Sequence, residues 1–240
     1  MGHGKIAPMS SPPAIIAALE TSTELASVAL LYGDQLSSRE SFGAQTHSMT
    51  VLGMLQSLLR ENELTLSQCN ALAFGVGPGS FTGVRTACGL AQGLAFGASL
   101  PVLPVVTLLA IAEAARVQGA GDSVIAVLDA RMGEVYWAHY RFDGRWHTVS
   151  EPCLSAPEQI APNGANAVAG NGLLAFAERF GALQALPRWP EIMPHASHMA
   201  LLGRQLMQEG AAVHGREAQP LYLRNKVALT TAERAVGVNT

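Results

Sequence analysis

The sequence predicts an α/β protein built from two similar halves, and three features carry that prediction. Short apolar runs alternate with helix-compatible stretches along the 240 residues. An apolar run ending in an acid, followed by a second strand that reaches a turn containing Gly and Asp, occurs twice: first with Glu20 and the turn Gly33-Asp34, then with Asp129 and the turn Asp143-Gly144. Between these units, Phe74–Pro104 reads as a strand, a glycine-rich turn and a long helix. With 49% hydrophobic residues, the chain can bury a sizeable core.

In chain order, Ala14–Leu19 is an apolar run closed by Glu20-Thr21-Ser22-Thr23, and Leu25–Tyr32 is the second strand of a hairpin. A helix starts near Thr46 or His47. Its Val51, Leu52, Met54, Leu55, Leu58 and Leu59 fall within about 160° of the helical wheel, an amphipathic face of ordinary core type. Ala71–Gly75 is a strand, and the turn Gly75, Gly77, Pro78, Gly79 follows it. Ser80 offers an N-cap, and the helix runs to about Ser99 before Pro101 and Pro104 stop it. Val105–Val117 reads as a third helix, closed by Gln118-Gly119-Ala120-Gly121. In the second half, Val124–Leu128 and Glu134–Phe142 are strands, as is Ala167–Gly170. Leu173–Phe180 reads as a helix, and another runs from about His195 to Glu209 with Met199, Leu202 and Leu206 on one face.

The helix after the glycine turn has two faces that call for burial. Gly89, Gly93 and Gly97 recur every four residues on one side, and each costs about 1 kcal/mol relative to alanine in a helix interior. Val84, Cys88, Ala91 and Ala95 lie nearly opposite, with Leu90 and Leu94 beside them. One face meets the chain's own core; the glycine face admits close approach of another helix, internal or from a partner.

Composition sets bounds. The net charge is −3 with 15 Lys and Arg and no basic run, so the chain should not grip nucleic acid strongly by itself. The charge-free stretch between Arg85 and Glu113 is broken by two prolines and three glycines, against a membrane span. Residues 1–13 lack an apolar signal core and read as a disordered extension in a cytosolic protein; the end of the chain after Leu229 reads as a frayed tail. Cys69, Cys88 and Cys153, in no C-x-x-C pair, fit reduced core thiols.

Candidate chemistry is thin. Glycines beside a helix N-terminus serve either an anion such as phosphate or a plain strand-to-helix turn. The spacing here matches neither G-x-x-x-x-G-K-[ST] nor G-x-G-x-x-G, which favours the plain turn. Two acidic hairpin tips facing each other are the layout of the actin, Hsp70 and sugar-kinase (ASKHA) superfamily, where they flank nucleotide phosphates. Here Glu20 is followed by Thr21, Ser22 and Thr23, and Asp129 by Ala130 and Arg131, without the glycine that wraps a phosphate. Glu20, Thr21, Ser22, Asp129 and Arg131 are therefore read as a degenerate nucleotide site. His195 and His198 lack a third zinc ligand, and capping or exposed roles are favoured. Ser80, His47 and Asp129 make a triad only on paper, with no G-x-S-x-G elbow.

These stretches together resemble the bacterial TsaB family, also called YeaZ. The carriers are IIAALETSTELASVAL (15–30), the His47-Ser48 helix start, GVGPGSFTGVRTACGLAQGLAFG (75–97), VLDARMGEVYWAHY (127–140), AGNG (169–172) and PLYLRN (220–225). The resemblance spans nearly the whole chain after residue 13. It implies a duplicated, two-lobed ASKHA fold and a non-catalytic scaffold in threonylcarbamoylation of the adenosine next to the anticodon of ANN-decoding tRNAs. It also implies pairing with a catalytic TsaD-like paralogue and a TsaE-like ATPase, a homodimer when alone, tRNA reached only through the complex, and no cofactor or metal. Catalytic relatives carry paired metal histidines that this sequence lacks, so the old "glycoprotease" label is not supported. Glu20 stands where many members have Asp.

The expected organisation is an N-terminal lobe over 14–119, a C-terminal lobe over 120–229 and a flexible tail over 230–240. Val51, Leu55, Leu58 and Leu59 on the first helix, with Gly89, Leu90, Gly93, Leu94 and Gly97 on the second, are the expected partner interface. The competing readings are an ATP-dependent small-molecule kinase of the same superfamily and, behind it, a metallopeptidase.

Overall fold

The computed structural model describes residues 13–43 and 47–224. The tail 230–240, all of the 1–13 extension except Pro13, and the His47 side chain lie outside the described residues.

Two five-stranded sheets share one topology. The first is built from β1 (Ile15–Glu20), β2 (Leu25–Tyr32), β3 (Gln35–Phe42), β4 (Ala71–Gly77) and β5 (Val102–Val106), in the order β3-β2-β1-β4-β5. The second is built from β6 (Ser123–Asp129), β7 (Val135–Phe142), β8 (Trp146–Ser155), β9 (Ala167–Ala169) and β10 (Arg188–Trp189), in the order β8-β7-β6-β9-β10. In each, the central strand pairs antiparallel with the next strand and parallel with the fourth. This is the duplication that the two hairpins announce.

The helices α1 (His47–Glu61) and α2 (Phe81–Ala98) cover one face of the first sheet, where Ala17, Leu19, Val28, Leu30, Leu72 and Phe74 point. The strand period of two sends Ile16, Ala18, Ala29 and Ala73 to the opposite face. There they meet α5 (Ala196–Gln208), whose Met199 and Ala200 are fully buried. The second sheet receives α3 (Thr107–Val117) through Leu108, Ile111 and Ala115. Each sheet is thus covered partly by a helix that follows the other sheet in sequence.

Three expectations are corrected here, and two strands join those expected. Four residues of the apolar face of α1 are committed to the core: Val51, Leu55, Leu58 and Leu59 are 0%, 2%, 2% and 7% exposed, so these four side chains are not available to a partner. The sheet face beneath them would otherwise be open to water, and core burial wins. The third helix starts at Thr107, not Val105, because Val105 and Val106 pair with Gly75 and Gly77 as an edge strand that tolerates Pro104. The helix expected over Leu173–Phe180 shrinks to α4 (Gly172–Ala175). The chain leaves it at Phe176 so that Phe180 and Leu183 reach the outer core of the second sheet. Finally, β3 and β8 extend the two hairpins into meanders; both are edge strands of exposed and half-buried residues, which blurs their alternation.

Candidate functional site

Between the tips of the two central strands lies a cleft of about 540 Å³. Its walls are Ser22 and Thr23 after β1, the Gly79–Gly83 stretch that opens α2, the Asp129–Met132 turn after β6, Asn171 and Arg224.

The glycine turn holds the chain itself. Ser80 caps α2, its hydroxyl accepting from the Gly83 N–H at 3.4 Å, while its own N–H donates to the Ser22 carbonyl at 2.7 Å. The Thr21 hydroxyl donates to the Gly83 carbonyl at 2.7 Å. A Cβ on Gly83 would stand 2.0 Å from the Thr21 carbonyl oxygen, and one on Gly79 would stand 2.6 Å from that of Ser22. Side chains are excluded at these two positions because the 20–23 loop lies directly against the turn.

Glu20 does not face Asp129 across the cleft, as the hairpin reading expected. It is fully buried, with Oε1 accepting from the Ser22 N–H and Oε2 without a partner. A Cβ on Gly75 would fall 1.8 Å from Oε2, so that glycine is needed to seat the carboxyl group. Burial pushes the Glu20 pKa above the usual carboxylate range, while the hydrogen bond from the Ser22 N–H pulls it back. On the other side, Asp129 is engaged: its carboxylate accepts from the Arg131 N–H at 2.7 Å and pairs with that guanidinium at 2.9 Å. Asn171 fixes the same tip by accepting from the Asp129 N–H at 3.0 Å. Of the five degenerate-site residues, Ser22, Asp129 and Arg131 line the cleft; Glu20 and Thr21 are buried behind it.

The second candidate is the outer side of α2. Val84, Cys88, Ala91 and Ala95 are buried, Leu90 and Leu94 pack partly against the same core, and Gly89, Gly93 and Gly97 face solvent. A Cβ on any of these three glycines meets nothing within 4 Å. Beside them runs a groove of about 1060 Å³, walled by the 212–216 segment. Phe96 stands at its wall 79% exposed.

Histidine chemistry is structural. His195 caps α5 by accepting from the Ser197 N–H at 3.1 Å and lies 3.2 Å from Glu40. Among the described residues, no three His, Cys, Asp or Glu side chains gather into a metal-sized cluster, and no helix is long and apolar enough to cross a membrane. Sequence reasoning assigned no role to Arg224, Asn171 or the 212–216 wall. The first two sit inside the PLYLRN and AGNG stretches, the only signal that could have marked them.

The fold and cleft define the class: a two-lobed, duplicated α/β protein of the ASKHA type whose glycine turn packs against its own 20–23 loop. The family model described as TsaD, tRNA N6-adenosine threonylcarbamoyltransferase, matches residues 41–182. The tRNA threonylcarbamoyladenosine biosynthesis protein TsaB of Escherichia coli is 38% identical over 221 residues, covering 89% of this chain and 96% of that one. Its Haemophilus influenzae counterpart is also 38% identical, covering 88% and 93%. The solved YeaZ structure from Pseudomonas aeruginosa superposes with a TM-score of 0.83 at 36% identity, over 88% of this chain and all of its own. The chain belongs to the TsaB (YeaZ) family of tRNA threonylcarbamoyladenosine biosynthesis proteins.

Proposed function

We propose that this protein is a non-catalytic, cytoplasmic scaffold subunit for threonylcarbamoylation of the adenosine next to the anticodon of ANN-decoding tRNAs. It supports a TsaD-like catalytic paralogue together with a TsaE-like ATPase, forms a homodimer when alone, and meets tRNA only through that complex. The observation that supports the reading is the closed glycine turn: the Ser80 N–H and the Gly83 carbonyl are bonded to Ser22 and Thr21 of the chain itself, which disfavours the kinase alternative. The net charge of −3 fits a subunit that leaves tRNA binding to others. The open glycine face of α2 is the partner-binding surface in this reading, and the N-terminal lobe of residues 14–119 is the one that carries it.

Substituting Gly93→Leu tests the surface. Among the described residues nothing beyond the backbone of α2 itself lies within 4 Å of the added Cβ, so the fold should tolerate leucine and gain roughly 1 kcal/mol of helix propensity. At a close helix contact the same side chain costs about 1–3 kcal/mol by overpacking, and a symmetric dimer meets it twice. Sedimentation should show the dimer dissociation constant rising by about one to several orders of magnitude, with weaker TsaD-like binding and reduced tRNA modification in the reconstituted system. Unchanged self-association and partner binding in a folded variant would remove the glycine face from the interface.

A further inference from the structure

The last described segment, Ala218–Arg224, belongs to neither sheet, yet its bonds fall on both lobes. On the first, the Ala218 carbonyl accepts from Cys88 Sγ at 3.2 Å and from Gln92 Nε2 at 2.8 Å, both on α2. The Leu221 N–H donates to the Val76 carbonyl at 2.8 Å. The Tyr222 hydroxyl accepts from Arg85 Nε at 2.7 Å, and its ring sits 5.8 Å from that of Phe81, with the Arg85 guanidinium over both rings. On the second lobe, Arg224 donates to the Ala130 carbonyl at 3.1 Å and to the Glu134 carboxylate at 2.7 Å, and lies 2.8 Å from Met132 Sδ.

The arginine spans the turn after β6 from one end to the other. Within it, Arg131, Met132 and Gly133 all have positive φ, at 62°, 55° and 79°. Two consecutive non-glycine residues hold that conformation only where their surroundings impose it. Here the imposing bonds are those from the Ala130 N–H to the Glu134 carbonyl and from the Glu134 N–H to the Arg131 carbonyl, with Asp129 accepting from the Arg131 N–H and Arg224 bridging the Ala130 carbonyl and the Glu134 carboxylate. Arg224 also lines the cleft between the lobes. The other extensive links between the sheets are α3 and α5, which pack on the sheet faces.

We propose that residues 218–224 form a clasp across the cleft: the lobes swing about α3 and α5, and the cleft opens when Arg224 and Tyr222 let go. The clasp is built from this chain's own contacts, so it holds whether or not the scaffold reading does. Arg224 is its strongest point, because its guanidinium is only 14% exposed and its bond to Glu134 is charge-assisted. Loss of one such bond is worth about a tenfold change in the balance between clasped and open forms.

Electron-spin distance measurements test this, with labels at Gln56→Cys on α1 and Ala182→Cys beside the second sheet, in a Cys153→Ser background. The unsubstituted clasp should give one narrow distance distribution. Arg224→Gln and Tyr222→Ala should each move population to longer distances, the former by about tenfold. Glu134→Gln should shift it in the same direction, and the pair Arg224→Gln with Glu134→Gln should fall short of the sum, because the two share one bond. Distributions that superimpose on the unsubstituted one in folded Arg224→Gln and Tyr222→Ala proteins would overturn the clasp. If Arg224→Gln does not fold, an unshifted Glu134→Gln distribution does so instead.

Discussion

Glu20 ends its strand with the carboxyl group turned inward, under Gly75 and beside the start of α3, and it reaches no solvent. Its folded pKa lies above the ordinary 4.5, so between those two values the native state holds a proton that the unfolded chain has released. Stability contributed by this group is complete below pH 4.5 and declines as pH rises through the folded value. Buried His139 and half-buried His195 and His198 act the opposite way, because desolvation lowers their pKa and protonation below 6.5 favours unfolding. The comparison that isolates the acid is Glu20→Gln, whose amide oxygen can still accept from the Ser22 N–H. Denaturant titrations across pH should find the variant's stability relative to the parent improving as pH rises above 4.5. A difference that is flat with pH would mean that Glu20 is not held protonated. The substitution therefore reads out whether the first hairpin ends in a neutral group, which a phosphate-binding tip would not need.

At the scale of elements, α1 and α2 lie on the same sheet face but differ in what they leave exposed. The apolar side chains of α1 are spent on the core, and its outward positions are mixed polar residues with Met49. In α2 the small residues Ala87, Ala91 and Ala95 seat the helix closely on the sheet, and the glycines form an outer strip without side chains. Leu55→Ala should accordingly cost about 2–5 kcal/mol of monomer stability through the cavity it leaves. In a folded variant, dimer affinity should stay near that of the parent, the reverse of Gly93→Leu. Melting curves combined with sedimentation separate the two cases. A Leu55→Ala protein that melts normally and dissociates readily would return α1 to the interface.

On the scale of the whole molecule, the superfamily layout is intact, and the polar groups at the ends of its central strands are bonded within the chain. Both central strands deliver an acid to the cleft region, but one is buried and the other is paired with Arg131 two residues on. The Ser80 N–H, which at a working cradle would be free for an anion, already donates to Ser22. Calorimetric titration of the isolated protein with ATP should therefore show no micromolar binding. Micromolar affinity would mean that the 20–23 loop vacates the cradle, and would revive the kinase reading.

The duplicated hairpins, the helix boundaries at Ser80 and His195 and the inward face of α2 were legible in the sequence, because capping groups and apolar periods act over a few residues. The absence of glycine after Glu20 and Asp129 was equally plain. Local patterns could not distinguish the two helices as partner surfaces: an apolar stripe such as Val51, Leu55 and Leu58 looks the same whether it meets its own sheet or another chain. Nor could they show that Gly75, Gly79 and Gly83 make room for Glu20, Thr21 and Ser22, residues about 60 positions away in the chain. The exchange of α3 and α5 between sheets and the reach of Arg224 to Glu134, 90 residues apart, were likewise decided by tertiary structure. Such contacts join segments whose separation along the chain leaves no period or spacing to read, and packing alone brings them together.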